Sequence, residues 1–466
     1  MKIVYIVDLI KGLIPINKKI ILKGWVRNKR HSKLGISFIT LYDGTCFSSI
    51  QIVVKKKITN YKNIVLKLTP GCSISVTGRI VNSKGINQKY EIIADVINLI
   101  GWIKNPGNYP ISSKRHSLEY LRNVSHLRPR TNLIGSVARI RHSAANAIHK
   151  FMDLNGFFWL ASPLITSSNP ESSCKRFKVS TLNFNNIFIN KKKKIDYKND
   201  FFGKKSFLTV SGQLNCESYA CCLSKIYNFG PVFRAENSNT NRHLSEFWMI
   251  EVEVAFYKLN DIILLSINMI KYIINTVINE RKEDILFLKN NIDDEILIRL
   301  KKFIKLDFLQ IKYNEVIKIL KKNNYNFKNK IFNGKDLSFE HEKYLTEIYF
   351  KSPIIIRDYP KDIKAFYMRI NKDNKTVAAI DFLFPNIGEI IGGSQREERI
   401  NKLDIRFKEM NINKKEYDWY RDLRIYGTVP HSGFGLGFER LIMYITGLKN
   451  IRDVIPFPRI PKNSNY

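Results

Sequence analysis

The chain has 466 residues, 44% of them hydrophobic and 25% charged, the balance of an ordinary globular enzyme with room for roughly two to four domains. Lys and Arg number 77 against 41 Asp and Glu, a net charge of +36; this favours a polyanionic partner, since basic side chains release counterions from phosphates, although the abundance of Lys, Ile, Asn, Phe and Tyr also fits the bias of an AT-rich genome. Six cysteines without a CxxC pair indicate neither a zinc cluster nor a disulfide framework. The start, Met1 to Tyr5, lacks the apolar core and cleavage site of a signal peptide. No run is expected to reach a membrane span, so the reading is a cytoplasmic protein with no membrane partner.

In chain order, residues 20–26, 36–41, 49–54, 73–81 and 90–99 are rich in Val, Ile and aromatics. Turn residues such as Asp43-Gly44 and Pro70-Gly71 separate them. Five strands in this length predict a small Greek-key barrel of the oligonucleotide-binding type over residues 1–104. A Pro/Gly/Ser-bearing linker follows at 105–130. Val137, Ile140, Ala144, Ile148 and Phe151 then recur at helix spacing within 133–155. Strands and helices alternate from there to the end, so the fold class is α+β with a catalytic domain over 131–466. Two stretches read as insertions. The charge run Lys191 to Lys194 suits a solvated loop, and residues 259–351 show Ile, Leu, Lys and Asn at helical spacing with little chemistry.

Three segments carry chemical signals. Residues 156–165, GFFWLASPLI, follow a helix that ends at Gly156 and read as an apolar strand with Pro163 inside, suited to an edge or interface. Residues 229–236, FGPVFRAE, end a strand in Arg-x-Glu, where Arg234 could hold a phosphate in bidentate fashion. Phe247, at the start of the next strand, could stack on a purine. Residues 433–440, GFGLGFER, place three glycines at alternate positions before Glu-Arg, which suits a strand entering a helix beside a ligand.

In this order the three segments resemble the signature motifs of class II aminoacyl-tRNA synthetases. SKIYNFGPVFRAENSNTNRHLSEFWMIEVEVAF, GEIIGGSQREER and YGTVPHSGFGLGFERL resemble the asparaginyl members of the aspartyl/asparaginyl/lysyl subgroup. GWVRNKRHSKLGISFITLYDG is similar to their anticodon-binding barrel. The resemblance implies a mainly antiparallel catalytic sheet flanked by helices, ATP and Mg2+ as cofactors, and asparagine and tRNA(Asn) as partners. Arg234 would grip the α-phosphate, Glu236 support the adenine end, Phe247 stack on the base, and His243 and Arg440 reach the distal phosphates; Arg234 and Arg440 are the catalytic cations. Asp381 and Glu389 would hold the metal. Glu171, Ser211 and Gln213 would hold the α-amino end of the amino acid, and Arg396 its side-chain oxygen. Arg30, Phe38 and Gln51 would meet anticodon bases, since splayed bases need a stacking aromatic with polar neighbours. A homodimer built on residues 156–165 is also implied.

Two further expectations concern selectivity. Where the family usually shows Gly-Ala-Gly-Glu, this chain has Ser172-Ser173-Cys174-Lys175 after Glu171. The loss of two glycines limits that loop and predicts slower or looser amino-acid capture. Where aspartyl relatives carry a Lys that meets the substrate carboxylate, this chain has Cys216, and where they carry an Asp beyond the adenine-stacking Phe it has Glu251. Glu251 is therefore expected to accept from the amide N–H of asparagine and to repel aspartate, with Glu217 and Glu253 as rivals for that role. The alternatives are an aspartyl or relaxed enzyme, a non-catalytic tRNA-binding relative, and a free-standing asparagine-forming ligase; the ATP-binding residues weigh against the second and the N-terminal barrel against the third.

Overall fold

The computed structural model describes residues 2–83, 85, 88–112, 114–170, 175–183, 195–323 and 325–466. Glu171, the Ser172-Ser173-Cys174 departure and the Lys191 to Lys194 run lie outside the described residues. The chain divides into two compact units, Met1–Ile140 with Arg281–Leu288, and Arg141–Glu280 with Lys289–Tyr466.

In the first unit the five strands β1 (Lys19–His31), β2 (Ile36–Tyr42), β3 (Ile50–Lys55), β4 (Ser73–Asn82) and β5 (Tyr90–Gly101) close in the order β1-β2-β3-β5-β4. Strict alternation drives closure. Ile74, Val76 and Ile80 of β4 meet Leu22, Ile39, Leu41, Ile52, Val54 and Ile92 in a dry interior, while the residues between them face out. Gly78 sits where β4 shifts register against β5, and a Cβ there would collide with the Ile93 carbonyl. The alternation puts Ser37, Ile39 and Leu41 inside and leaves Phe38 half-buried on the outer face.

The first strand of the second unit is β6 (Phe158–Trp159). The small strands β7 (Ile165–Thr166), β8 (Lys178–Val179) and β9 (Ser206–Leu208) then form a three-stranded sheet in the order β7-β9-β8. The stretch 156–165 is thus not one strand containing Pro163. It is two short strands belonging to different sheets, with Phe158, Trp159, Leu164 and Ile165 exposed. The main sheet adds β10 (Lys225–Phe233), β11 (Glu246–Ala255), β12 (Leu309–Lys312), β13 (Ile354–Pro360), β14 (Thr376–Phe384), β15 (Gly388–Gln395) and β16 (His431–Gly437). Its order is β12-β13-β14-β15-β16-β11-β10-β6. Pairing is antiparallel from β13 through β10, and the two edge strands run parallel to their neighbours.

Residues 259–351 are not purely helical, since β12 lies within them as a sheet edge. The helix Leu259–Glu280 corrects a second expectation. Its 22 residues, with a mean hydropathy of 1.6 over an 18-residue stretch, make it long and apolar enough to cross a membrane by length and composition. Here it is a core helix. Ile262, Met269, Ile270, Ile273 and Val277 are buried, and the helix lies against β14, β15 and β16.

Candidate active site

One face of the main sheet carries the site, and register explains how. Asp381, Gly392, Gly435, Glu251 and Asn228 lie side by side across β14, β15, β16, β11 and β10. Ala379, Ser394, Gly433, Glu253 and Ile226 form the next row. With a side-chain period of two, the alternating glycines of β16 all point to this face, and Phe434 and Leu436 point to the buried one. A Cβ on Gly433 would collide with the Glu253 carboxyl, and one on Gly435 would lie 2.6 Å from Met249 Cε. The glycines therefore hollow the centre of the sheet between walls of charged side chains.

Two cavities occupy the hollow. The smaller, about 140 Å³, is lined by Glu236, Arg242, His243, Phe247 and Arg440 among others. The larger, about 520 Å³, is lined by Ser211, Gln213, Glu251, Glu253, Asp381 and Arg396 among others. Arg234, Met249, Glu389 and Gly435 line both, so the guanidinium that follows β10 stands where the two meet.

In the smaller cavity the cations rest on rings, carbonyl oxygens and, for Arg242, a carboxylate. Arg234 lies 5.4 Å from the Phe247 ring. Arg440, in the first turn of the helix Phe438–Thr446, donates to the Glu389 carbonyl at 2.6 Å. His243 Nδ1 meets the hydroxyls of Ser238 and Thr240. Burial, and then Arg440, push the His243 imidazole below its ordinary range. Arg242, which the sequence reading passed over, stacks 3.4 Å from the Phe339 ring, donates to the Ile387 carbonyl at 3.1 Å and lies 3.7 Å from Glu342. Phe339 and Glu342 come from the stretch read as chemically silent. Only the position of Arg242 next to His243 could have pointed to them.

In the larger cavity, Asp381 accepts from Lys364 Nζ at 2.7 Å. Burial, and then Asp381, push the Glu389 carboxyl up. A Cβ on Gly392 would lie 2.8 Å from Glu389 Oε1 and 3.6 Å from Asp381 Oδ1, so the absent side chain leaves a cradle bounded by both carboxylates. The Lys364 ammonium already provides positive charge to one of them. No group of three or more metal-binding side chains is present among the described residues. Mg2+ needs only one or two carboxylates when phosphate and water complete its shell, so the donor set fits that ion.

The larger cavity is held by ion pairs and short hydrogen bonds. Arg396 is buried and bidentate to Glu253, with Nε donating to Oε2 at 3.0 Å and Nη2 donating to Oε1; its Nη1 donates to Ser394 Oγ at 2.6 Å. Burial opposes the Arg396 charge, but Glu253 overrides it and holds the group protonated. Glu251 is also buried. It accepts from Ser211 Oγ, from the Gly212 amide at 2.9 Å and from Asn228 Nδ2 at 3.0 Å. Its carboxylate therefore braces the Ser211–Gly212 turn, and the donors that hold it are a hydroxyl, an amide and a carboxamide. Cys216 is buried, and burial pushes its thiol well up, so the position of the missing Lys is uncharged.

In the barrel, Arg30 lies opposite Phe38, with Cζ 4.9 Å from its ring, and its Nη2 donates to Gln51 Oε1 at 3.4 Å. Gln51 Nε2 donates to Glu91 at 3.2 Å. The three candidate residues thus form one outward-facing cluster of a ring and flanking polar groups.

Residues 117–461 match the family model of class II tRNA synthetases (D, K and N), and residues 20–100 match that of the OB-fold nucleic acid binding domain. The asparagine–tRNA ligase of Sodalis glossinidius is 58% identical over 466 residues, which is all of both chains. The enzyme of that name from Escherichia coli O9:H4 is 55% identical over the same span. The crystal structure of asparaginyl-tRNA synthetase from Pyrococcus horikoshii complexed with asparaginyl-adenylate superposes with a TM-score of 0.85 at 31% identity, covering 99% of each chain. With a barrel, a class II sheet and a matching cleft, the chain belongs to the class II tRNA synthetases of the aspartyl, lysyl and asparaginyl group, in its asparaginyl branch.

Proposed function

We infer that the chain is an asparagine–tRNA ligase that joins asparagine to tRNA(Asn) at the junction of the two cavities. In the first step a carboxylate oxygen of asparagine attacks the α-phosphorus of ATP. The bond to the departing pyrophosphate breaks, its electrons leave with pyrophosphate, and asparaginyl-adenylate results. In the second step a hydroxyl of the terminal ribose of tRNA attacks the acyl carbon and gives up its proton, and AMP leaves. The observation that carries this reading is that Arg234, Met249, Glu389 and Gly435 line both cavities. A nucleotide lying in one and an amino acid in the other would meet at Arg234.

Each residue then has a task. Phe247 stacks on the adenine, Glu236 supports its polar edge, and His243 and Arg440 receive the distal phosphates. Arg234 neutralises charge that builds on the α-phosphate, an electrostatic clamp that needs no side-chain nucleophile. Asp381 and Glu389 would hold Mg2+, which would supply positive charge to the phosphate oxygens. Ser211 and Gln213, with Glu171, take the α-amino group. Arg396 donates to the side-chain oxygen. Glu251 keeps the wall beside Cys216 negative, which disfavours the carboxylate of aspartate and favours the amide of asparagine.

The same reading assigns residues 1–104 to anticodon binding through Arg30, Phe38 and Gln51, residues 105–130 to a linker, and residues 131–466 to catalysis with an insertion at 259–351. It includes a homodimer, supported by the exposed apolar side chains of Phe158, Trp159, Leu164 and Ile165; sedimentation of an active monomer at assay concentration would count against it. A cytoplasmic location is part of the reading and suits the free thiols of Cys46, Cys72, Cys216, Cys221 and Cys222.

The deciding experiment is ATP–pyrophosphate exchange with asparagine, aspartate and lysine offered separately. Exchange with asparagine alone is expected, and equal exchange with aspartate would make this a relaxed enzyme. In the barrel arm, Phe38→Ala should weaken tRNA binding by roughly 1–3 kcal/mol, the worth of one stacked base, and leave exchange intact.

A further inference from the structure

Beneath the amino-acid cavity lies a polar cluster to which the reaction scheme gives no task. Glu217, Tyr420, Arg424 and His431 are all buried. Glu217 Oε2 accepts from the Tyr420 hydroxyl at 2.7 Å and Arg424 Nη2 at 2.8 Å, and His431 Nε2 lies 2.9 Å from it. Arg424 Nε also donates to the Glu397 carbonyl at 2.9 Å, which ties the cluster to the chain just after Arg396. The fourth contact reaches the substrate side, where Gln213 Nε2 donates to Glu217 Oε1 at 3.0 Å.

The direction of that last bond follows from charge. Burial alone would keep Glu217 protonated, but Arg424 and His431, with Arg396 beyond them, hold its carboxyl well below the usual carboxylate range. An ionised carboxylate only accepts hydrogen bonds. The half of the Gln213 carboxamide that faces it must be the NH2, so the Gln213 oxygen faces the other way. Gln213 lines the larger cavity, and among the described residues no donor sits on that oxygen. An α-ammonium group has three N–H donors and no acceptor, so it can bind an amide oxygen and not an amide NH2.

We propose that Glu217, clamped by Tyr420, Arg424 and His431, is a positioning residue that locks the Gln213 carboxamide with its oxygen toward the amino-acid cavity and so makes that position selective for an ammonium group. The proposal rests on the reading that Gln213 meets the α-amino group. The lock is built from the helices Gln213–Leu223 and Asp418–Ile425 and the first residue of β16. It acts on binding of the amino acid and has no contact with the nucleotide cavity.

The test is Glu217→Gln, read by the KM for asparagine, the KM for ATP, kcat of pyrophosphate exchange, and the inhibition constant of succinamate, which is asparagine without its amino group. With a neutral amide beneath it, Gln213 can turn its NH2 toward the cavity. The KM for asparagine should rise roughly 10- to 100-fold, the range for losing a hydrogen bond to a charged group, while the KM for ATP and the inhibition by succinamate stay unchanged. Equal weakening of asparagine and succinamate, or an unchanged asparagine KM, would overturn the proposal. Tyr420→Phe removes one donor without exposing a buried charge, so it decides the matter should Glu217→Gln fail to fold; the same pattern is expected, only smaller, and a silent Tyr420→Phe would then overturn the lock. Gln213→Ala separates the inference from the reading beneath it. No effect of Gln213→Ala on the asparagine KM would sink the reading. A large effect of Gln213→Ala with a silent Glu217→Gln would sink the inference alone.

Discussion

The two ends of the catalytic cleft hold their charges with different partners. At the amino-acid end the charges are spent on one another, with Arg396 against Glu253 and Arg424 against Glu217. At the nucleotide end the cations lean mainly on rings and carbonyl oxygens, and Arg242 also has Glu342 at 3.7 Å. Arg234 sits by Phe247, Arg242 is stacked on Phe339, and Arg440 donates to the Glu389 carbonyl. The difference matches the ligands. Asparagine has a neutral side chain, and a pocket with a bare Arg would prefer the charged analogue. Triphosphate is a dense anion, and its site needs positive charge that is held in place. On the proposed reading one end serves selectivity and the other affinity and rate.

The largest effect should come from uncovering a charge at the paired end. Glu253→Ala leaves Arg396 buried without its bidentate partner, and removing one member of a buried pair costs about 3–5 kcal/mol. Chemical denaturation should register this loss in stability; an unchanged midpoint would mean that the two ends are not different in kind. Next in size is Arg234→Ala, which removes the cation at the junction. It should cost about 3–4 kcal/mol of transition-state stabilisation, by analogy with the loss of an oxyanion-hole donor, with tRNA affinity unaltered. Pyrophosphate exchange within tenfold of the parent would contradict it.

Glu251→Gln sharpens the selectivity half of the comparison. It removes negative charge from the pocket wall and loosens the Ser211–Gly212 turn. The ratio of kcat/KM for asparagine over aspartate should fall roughly 10- to 100-fold, the worth of about 1–3 kcal/mol at a buried polar group. An unchanged ratio would move the discrimination to Arg396 and Glu253.

The smallest effect concerns pH at the nucleotide end. Burial and Arg440 hold the His243 pKa below its ordinary value, so folding favours the neutral imidazole. The stability linked to this group is present above the ordinary histidine range and is lost as pH falls through it. Bound phosphate reverses the preference by favouring the imidazolium. ATP binding then takes up a proton and should strengthen as pH falls, by at most about tenfold per unit that the bound pKa rises. Calorimetry in buffers of different ionisation enthalpy should detect that proton, and His243→Asn should abolish it.

Much of the nucleotide end was legible in the chain because its chemistry is local. Arg234, Glu236, His243 and Phe247 fall within fourteen consecutive residues, and the alternate glycines of 433–437 announce a hollowed strand through the period-two geometry of any sheet. The barrel was legible for the same reason, since inward and outward residues alternate along each strand. Phe38 was the exception. A lone aromatic in such a strand suits a barrel core better than a surface, and the register with Arg30 puts it outside.

By itself the sequence determined the barrel, the class II sheet and the cations that meet in the smaller cavity, because alternation and short motifs express local backbone geometry. Only the tertiary structure decided how the charges pair. Arg396 and Glu253 are 143 residues apart, and Tyr420 and Arg424 reach Glu217 across 203 and 207. Nothing local marks which buried carboxylate meets which cation. The same holds for Glu251, whose hydrogen bonds brace the Ser211–Gly212 turn, and for Phe339 and Glu342, which approach Arg242 from a stretch that looked silent. A buried charge is tolerable only beside its partner, and that partner comes from whichever strand or helix the packing brings near: Glu217 lies on the helix Gln213–Leu223, and Tyr420 and Arg424 lie on Asp418–Ile425.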